Sequence, residues 1–383
     1  MKIISIRAIP FRLPVRREFR WASLLKPLGG FVYVEVETDS GLFGLGEVNA
    51  LPDWAGDHGR HGGETQDSAI AVIKKVLEPA LIGLDPCRVE CAHAAMDRVL
   101  KGNNYARAAI DMALHDLWGK SVGQPVAGLL GGTFRDRIAV AHMIGIMPVG
   151  DARTEAKAAA ADGVTALQVK GGESPARDIE LISAIRATTG PGMFLRLDAN
   201  QGYGRAKQAR RILAAMEDKL DMVEQPVLDV EDMSELAASI DIDVIADESC
   251  WDAHDALEIA RRGGADAISI YLAKAGGIAK ARRVAAIAET LDLPCDVNGS
   301  LESAIGNAAN LHFALASPAV SLACVIPATA PAGKFTTAVA GRYYDDDLVD
   351  EAFPFDRGCL LPLDRPGLGI AVNPRKLERY REA

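Results

Sequence analysis

The 383-residue chain contains no apolar run near the ~20 residues that a membrane-spanning helix needs, so no membrane partner is expected. Met1-Lys2-Ile3-Ile4 leads into strand-like alternation rather than a signal segment, which predicts a cytoplasmic protein. Positive charge is in deficit: 42 Lys and Arg against 52 Asp and Glu give −10, which disfavours nucleic acid as a partner. Zinc-type cysteine pairs are missing too. The six cysteines are scattered, and only Cys87 and Cys91 share a helix face; as two thiols without a second close pair, they are expected to pack in the core. What is present, 49% apolar and 25% charged residues, fits a globular protein with a large core.

The length suits a barrel of about 250 residues plus a smaller unit. Residues 1–125 read as an α+β domain, with a strand near 3–13 and a hairpin over 31–48 turning at Asp39-Ser40-Gly41. Helices are expected over 64–81, from Pro86, and over 105–120. Two polar loops, 16–30 with Trp21 and Lys26 and 52–63 with Trp54 and His58, mix aromatic and cationic side chains as binding loops do. From 126 to 330, apolar runs alternate with helical stretches, at 138–144, 166–170, 195–198, 222–224, 244–247, 267–271, 295–298 and 322–326. Eight such units predict an α/β fold, a parallel (β/α) barrel of modified TIM type. Asp151 is expected to cap the first barrel helix, which stops at Gly163. The segment 331–383, rich in Pro and Asp, is expected to pack back on the first domain and complete it as a cap.

Lys170, Asp198, Glu224, Asp247 and Lys274 end successive runs, 28, 26, 23 and 27 residues apart, about one strand–helix unit each. The C-terminal ends of barrel strands share one mouth, so three carboxylates and two amines should converge there. Strand alternation adds Gln168 beside Lys170, and Arg196 and Asn200 beside Asp198. Polar groups buried in a barrel cost several kcal/mol unless a metal, a counter-charge or a ligand pairs them. Asp198, Glu224 and Asp247 offer only oxygen, which suits Mg²⁺, with Mn²⁺ as a substitute, over zinc or copper. The alternative is a salt-bridge network with Arg196, Lys170 and Lys274. Lysines on either side of the acids are expected to reach a small carboxylate substrate from opposite faces. A neighbouring ion and a second amine should lower their pKa values towards those of working bases. Removal of the substrate's α-proton would then give an enediolate stabilised by the metal.

Seven short segments carry a further signal: Gly44-Leu45-Gly46-Glu47, Gly63-Glu64-Thr65-Gln66, Leu197-Asp198-Ala199-Asn200-Gln201, Val223-Glu224-Gln225-Pro226, Ala246-Asp247-Glu248-Ser249, Lys274-Ala275-Gly276-Gly277 and Gly299-Ser300-Leu301-Glu302. Through them the chain resembles the enolase superfamily, and within it the muconate lactonizing enzyme subgroup, over nearly its full length. The resemblance implies a capping domain whose loops select the substrate and a Mg²⁺-binding barrel. It implies Lys170 as the base, in the place of the second lysine of the subgroup's Lys-x-Lys. It also implies Lys274 as the opposite base, acid or electrostatic support, Glu302 near the pocket rim, and a homo-oligomer.

The chain departs from the subgroup in two places, and it also lacks the mandelate racemase pairing. Gln168 stands where the first lysine of Lys-x-Lys is usual. Val325-Ile326-Pro327-Ala328-Thr329 lacks the acidic pair with which dipeptide epimerases hold an ammonium, which disfavours a free α-amino substrate. Asp296 and Asn298 come without the histidine of the mandelate racemase pairing, and are expected to close hydrogen bonds at a strand end. Racemisation or epimerisation of an N-substituted amino acid or related carboxylate is the leading expectation. Cycloisomerisation and β-elimination from a hydroxy or hydroxyamino acid are the alternatives within the superfamily. A non-catalytic metal-binding relative is the alternative of another class.

Overall fold

The computed structural model describes residues 1–22, 24, 28–56 and 61–382; Lys26 and His58 lie outside the described residues. Strands β1 (Ile3–Arg12), β2 (Gly30–Thr38) and β3 (Phe43–Asn49) form an antiparallel sheet in that order. The β2–β3 turn needs a left-handed residue, and Gly41 supplies it with φ 82°, its amide donating to Thr38 O at 3.0 Å. Helix α1 (Gln66–Val72) starts from a reciprocal cap between Thr65 and Ser68 and runs through a π segment, Ile73–Leu77, into α2 (Glu78–Leu81). Helix α3 (Val89–Val99) begins three residues after Pro86 rather than at it, because the Asp85 carboxylate accepts from Cys87 N and holds a separate turn. Cys91 is exposed and Cys87 half-buried, so this pair does not pack in the core.

The long helix α4 (Asn104–Val122) lies across β3 at a distance only glycine permits. A Cβ at Gly44 would stand 2.0 Å from Ala113 O, and one at Gly46 1.8 Å from Ala109 O. The Gly-Leu-Gly of β3 and the alanines of α4 are therefore one packing solution. After α5 (Val126–Leu129) and β4 (Ile138–Ala139) the chain enters the barrel.

The barrel alternates β5 (Ala141–Ile144), α6 (Val149–Ala161), β6 (Ala166–Lys170), α7 (Pro175–Thr189), β7 (Phe194–Asp198), α8 (Ala206–Leu213), β8 (Met222–Glu224), α9 (Val230–Ala237), β9 (Asp243–Ala246), α10 (Ala253–Arg262) and β10 (Ala267–Ile270). Next come α11 (Leu272–Ala275), α12 (Ile278–Thr290), β11 (Cys295–Val297) and α13 (Ala304–Ala316). Strands β5 to β11 pair in sequence order, all parallel, as right-handed strand–helix units dictate. Asp151 lies in the first turn of α6, whose cap position is Pro148.

The eighth strand, expected over 322–326, does not form as a ladder. Cys324 N donates to Ala139 O and Ala141 N to Cys324 O, each at 2.8 Å, while Val325 N turns the other way to Val297 O at 3.0 Å. The segment divides its amides between both neighbours, and Pro327 removes the next donor, so the barrel closes through single bridges. The tail adds β12 (Phe355–Asp356), β13 (Cys359–Leu360), which pairs with β4, and α14 (Pro374–Tyr380). Its Glu382 accepts from Arg12 Nε and Gln66 Nε2, each at 2.8 Å, tying it to β1 and α1. Among the described residues no helix is long and apolar enough to cross a membrane.

Three buried acids gather at the N-terminus of α13. Glu47 of β3 accepts from Ser303 N and its hydroxyl, Asp347 of the tail accepts from Ala304 N, and Glu302 accepts from Ser300 N. Burial pushes Glu47 up to about 8, and Glu302 and Asp347 up to about 7. A carboxyl raised on folding stabilises the fold fully below its unfolded value and loses that contribution as pH rises through the folded one. The melting temperature is therefore expected to fall between about pH 4.5 and pH 8, and Glu47→Gln to flatten that slope. A melting curve as stable at the alkaline end as at the acid end would contradict this placement.

Candidate active site

The strand register sets the site. Lys170 pairs with Asp198 across β6 and β7, and Asp198 with Glu224 across β7 and β8, so these three groups stand level at the barrel mouth. Asp247 follows the last residue of β9. Lys274 is on α11, not at a strand end, and its ammonium reaches back to Asp247 Oδ1 and O, both at 2.7 Å, and to Ser269 O at 3.0 Å. The three acid-bearing strands thus lie between the elements carrying the two lysines.

Each acid is held by donors of the chain itself. Lys170 bonds Asp198 and reaches Asn200 Oδ1 at 3.3 Å. Gln168 Nε2 donates to Glu224 Oε2 at 2.7 Å and to Asp198 Oδ2 at 3.2 Å, so one neutral amide bridges two carboxylates. Arg196 crosses the barrel interior, with Nε 3.1 Å from Glu224 and Nη1 2.6 Å from Asp296. Asn298 closes the strand end as expected, its Oδ1 accepting from Gly299 N at 2.8 Å, and its amide also donates to Glu224 Oε1 at 2.9 Å; Asp296 serves Arg196 rather than the backbone. Asn200 Nδ2 donates to Glu248 Oε1 at 2.9 Å. Glu302 is buried, and its carboxylate accepts from Ser300 N, a residue of the cleft lining, at 3.1 Å.

Charge bookkeeping tests whether a cation fits. With every group ionised, buried Asp198, Glu224, Asp247, Glu248 and Asp296 exceed the buried cations Lys170, Arg196 and Lys274 of the described residues by two formal negative charges. Burial raises the Glu224 carboxyl well above the usual range, and the charges of Asp198 and Asp247 add to it against the pull of Arg196. Burial and the same two neighbours push Glu248 up to about 8, and its Oε2 is buried with no partner. A divalent ion matches this deficit in charge, and the donor set in hardness. Among the described residues no three such side chains stand in a coordinating arrangement, because the acid oxygens are turned onto Lys170, Gln168, Arg196, Asn298 and Lys274.

With only the chain's own groups acting on them, both lysine pKa values are raised. Burial alone would lower both, but Asp198 and Glu224 hold the Lys170 ammonium above the usual range, and Asp247 does the same for Lys274. The nearest charge to each amine is an acid, not the other amine.

A narrow cleft with about 30 Å³ of space open to water opens here, lined by Gln168, Lys170, Asn200, Asp247 and Asn298 on its polar side and by Leu51, Met143, Leu301 and Val325 on its apolar side. Trp21 and Trp54, both buried, roof it: Lys170 Nζ stands 5.5 Å from the Trp21 ring and Lys274 Nζ 5.9 Å from the Trp54 ring. Sequence reasoning missed Tyr271, whose hydroxyl bonds Ser300, and Trp251, which stacks on Trp54 at 5.2 Å. Both lie just past strands already picked out, and position past a strand end was the available signal.

Comparison with known proteins agrees with this geometry. Residues 151–376 match the enolase C-terminal domain-like family model, and residues 22–131 match the mandelate racemase / muconate lactonizing enzyme N-terminal domain. The chain is 31% identical to the N-succinyl-L-Arg/Lys racemase of Bacillus cereus over 99% of its own length and 97% of the relative's. The crystal structure of that racemase superposes with a TM-score of 0.90, at 28% identity over 100% of this chain and 99% of the other. Muconate cycloisomerase 1 of Rhodococcus opacus is 30% identical over 97% of this chain and 96% of its own. A dipeptide epimerase from Enterococcus faecalis, solved with Mg and L-Leu-L-Tyr, has a TM-score of 0.86 at 29% identity, covering 97% of this chain and 100% of that one. Racemases, epimerases and cycloisomerases alike share this cap, this barrel and nearly this full length, so the chain is an isomerase or lyase that belongs to the enolase superfamily, in its muconate lactonizing enzyme subgroup.

Proposed function

We propose that the protein removes the α-proton of a small carboxylate substrate with a lysine, and that it racemises or epimerises an N-substituted amino acid or related acid. The observation that carries this is the pair of buried amines placed on either side of a buried acid cluster with two formal negative charges to spare. Asp198, Glu224 and Asp247 would hold Mg²⁺. When bound, such an ion stabilises the negative charge that gathers on the substrate's carboxyl oxygens. Lys170 or Lys274, once neutral, takes the proton from one face, and the other amine, still charged, returns a proton to the opposite face. Gln168, Arg196 and Asn298 keep the acids in register, and Trp21 and Trp54 keep water from the amines.

The cleft supports a substrate with an apolar outer part, since Leu51, Met143, Leu301 and Val325 line it and 325–329 carries no acid for an ammonium. Exchange of the α-proton in heavy water, over a panel of N-acylated amino acids, tests the reading. Apolar side chains are expected to exchange fastest, and no exchange with any N-acylated member would defeat it.

A second reading rests on Lys274 alone. All three of its donors are engaged, by Asp247 Oδ1, Asp247 O and Ser269 O, as befits a fixed charge partner in a one-base cycloisomerisation.

Gln168 offers a separate test. A lysine there would place a cation beside Asp198 and Glu224 and near Lys170, favouring the neutral form of the base. Gln168→Lys is expected to move the acid limb of the kcat/KM profile to lower pH. A limb that stays in place, with activity retained, would show that Gln168 does not set the basicity of Lys170.

A further inference from the structure

Two straps roof the cleft, and they are fastened by different physics. The strap carrying Trp54 is held by aromatic stacking. Trp54 lies 5.2 Å from Trp251, whose other face stacks on His61 at 4.8 Å, and the Trp251 indole donates to Glu248 O at 2.9 Å. The strap carrying Trp21 is held by charge. Arg16 Nη2 and Arg17 Nη2 both donate to Glu155 Oε1 of α6, at 2.8 and 2.9 Å, and His142 Nε2 of β5 donates to the same oxygen at 3.0 Å. The opposite ring nitrogen of His142 accepts from Gly341 N at 3.1 Å, which fixes the neutral tautomer.

Other fastenings of the Trp21 strap do not reach α6: Arg16 N donates to Tyr343 O at 2.8 Å, and the buried Phe19 ring meets Tyr343 edge-on at 5.3 Å. Arg20 and Glu173 pair at 2.9 Å, but with 53% and 36% of their side chains exposed they contribute little. Arg16 Nε donates to Arg342 O, Ile146 N donates to Arg20 O, and the Arg17 guanidinium lies 4.0 Å over the Phe19 ring. Glu155, only 9% exposed, is the one carboxylate between two guanidinium groups; without it their repulsion acts directly on the strap.

We propose that Glu155 is the positioning residue that holds Trp21 over Lys170, so that the Lys170 side of the cleft, and not the Lys274 side, depends on this ion cluster. The inference rests on the two-base reading only for its kinetic consequence; docking of the strap is measured without substrate. The test compares Glu155→Gln and Arg17→Met with the parent protein. In Glu155→Gln, trypsin is expected to cut after Arg17 and Arg20 about tenfold faster than the accompanying fall in melting temperature accounts for. Acrylamide quenching of tryptophan emission should increase, and that increase should vanish in a Trp21→Phe background. With substrate, exchange from the enantiomer served by Lys170 should fall about tenfold, and that served by Lys274 should change less than about twofold. Parent-like cleavage and quenching would overturn the proposal, as would equal loss on both faces. If Glu155→Gln does not fold, Arg17→Met, at a side chain 24% exposed, must raise cleavage after Arg20 and raise quenching, and a parent-like result overturns the proposal. Should the parent show no exchange at all, the two-base reading fails while cleavage and quenching still decide the role of Glu155.

Discussion

Lys170→Ala is expected to abolish α-proton exchange from one enantiomer of the substrate while leaving exchange from the other, and Lys274→Ala to do the reverse. Each amine is buried at one flank of the acid cluster and is roofed by its own tryptophan, so neither can serve both faces. A positioned general base contributes about 10²–10⁴-fold, so the affected face should lose at least about a hundredfold. Racemisation needs both proton transfers and should disappear in either variant. The measurement is deuterium incorporation by NMR, one enantiomer at a time. Loss of all exchange in one variant and of none in the other would transfer the assignment to the one-base reading, in which Lys274 is a fixed charge.

Glu224→Gln should change stability and activity in opposite directions. Its carboxyl sits well above the usual range because burial and two like charges oppose its ionisation, so at neutral pH the folded protein bears a cost the unfolded chain does not. Replacing it with an amide of the same shape removes that cost. The melting temperature in chelator is expected to rise by about 1–4 °C. Exchange should meanwhile fall below detection, and the stabilisation by added Mg²⁺, about 2.7 kcal/mol at a hundredfold excess over Kd in the parent, should largely vanish. A variant that keeps both its exchange and its Mg²⁺ response would remove Glu224 from the ligand set. A variant destabilised in chelator would mean that its bonds to Gln168, Arg196 and Asn298 outweigh the repulsion.

Much of the site could be read from residue order because a parallel barrel converts spacing into position. Lys170, Asp198 and Glu224 stand level because each ends its strand, and alternation alone placed Gln168 and Arg196 on the same inward face. What could not be read depended on contacts between distant segments. Asn298 bonds Glu224 across 74 residues, and Glu155 gathers arginines from 138 and 139 residues away. The eighth strand failed because an apolar run says nothing about which neighbour takes each amide, and here the two neighbours share them. Lys274 was placed one element early, since a four-residue helix such as α11 leaves almost no periodic signal. Spacing likewise showed that acids and amines converge, but not that each amine lies nearest an acid.

The most direct test of the central claim is a crystal structure with Mn²⁺ and an N-acylated amino acid bound. The anomalous peak is expected at roughly 2.2 Å from an oxygen of each of Asp198, Glu224 and Asp247. The amines of Lys170 and Lys274 should stand on opposite faces of the substrate's α-carbon. A metal peak away from these three acids, or both amines on one face, would contradict the account.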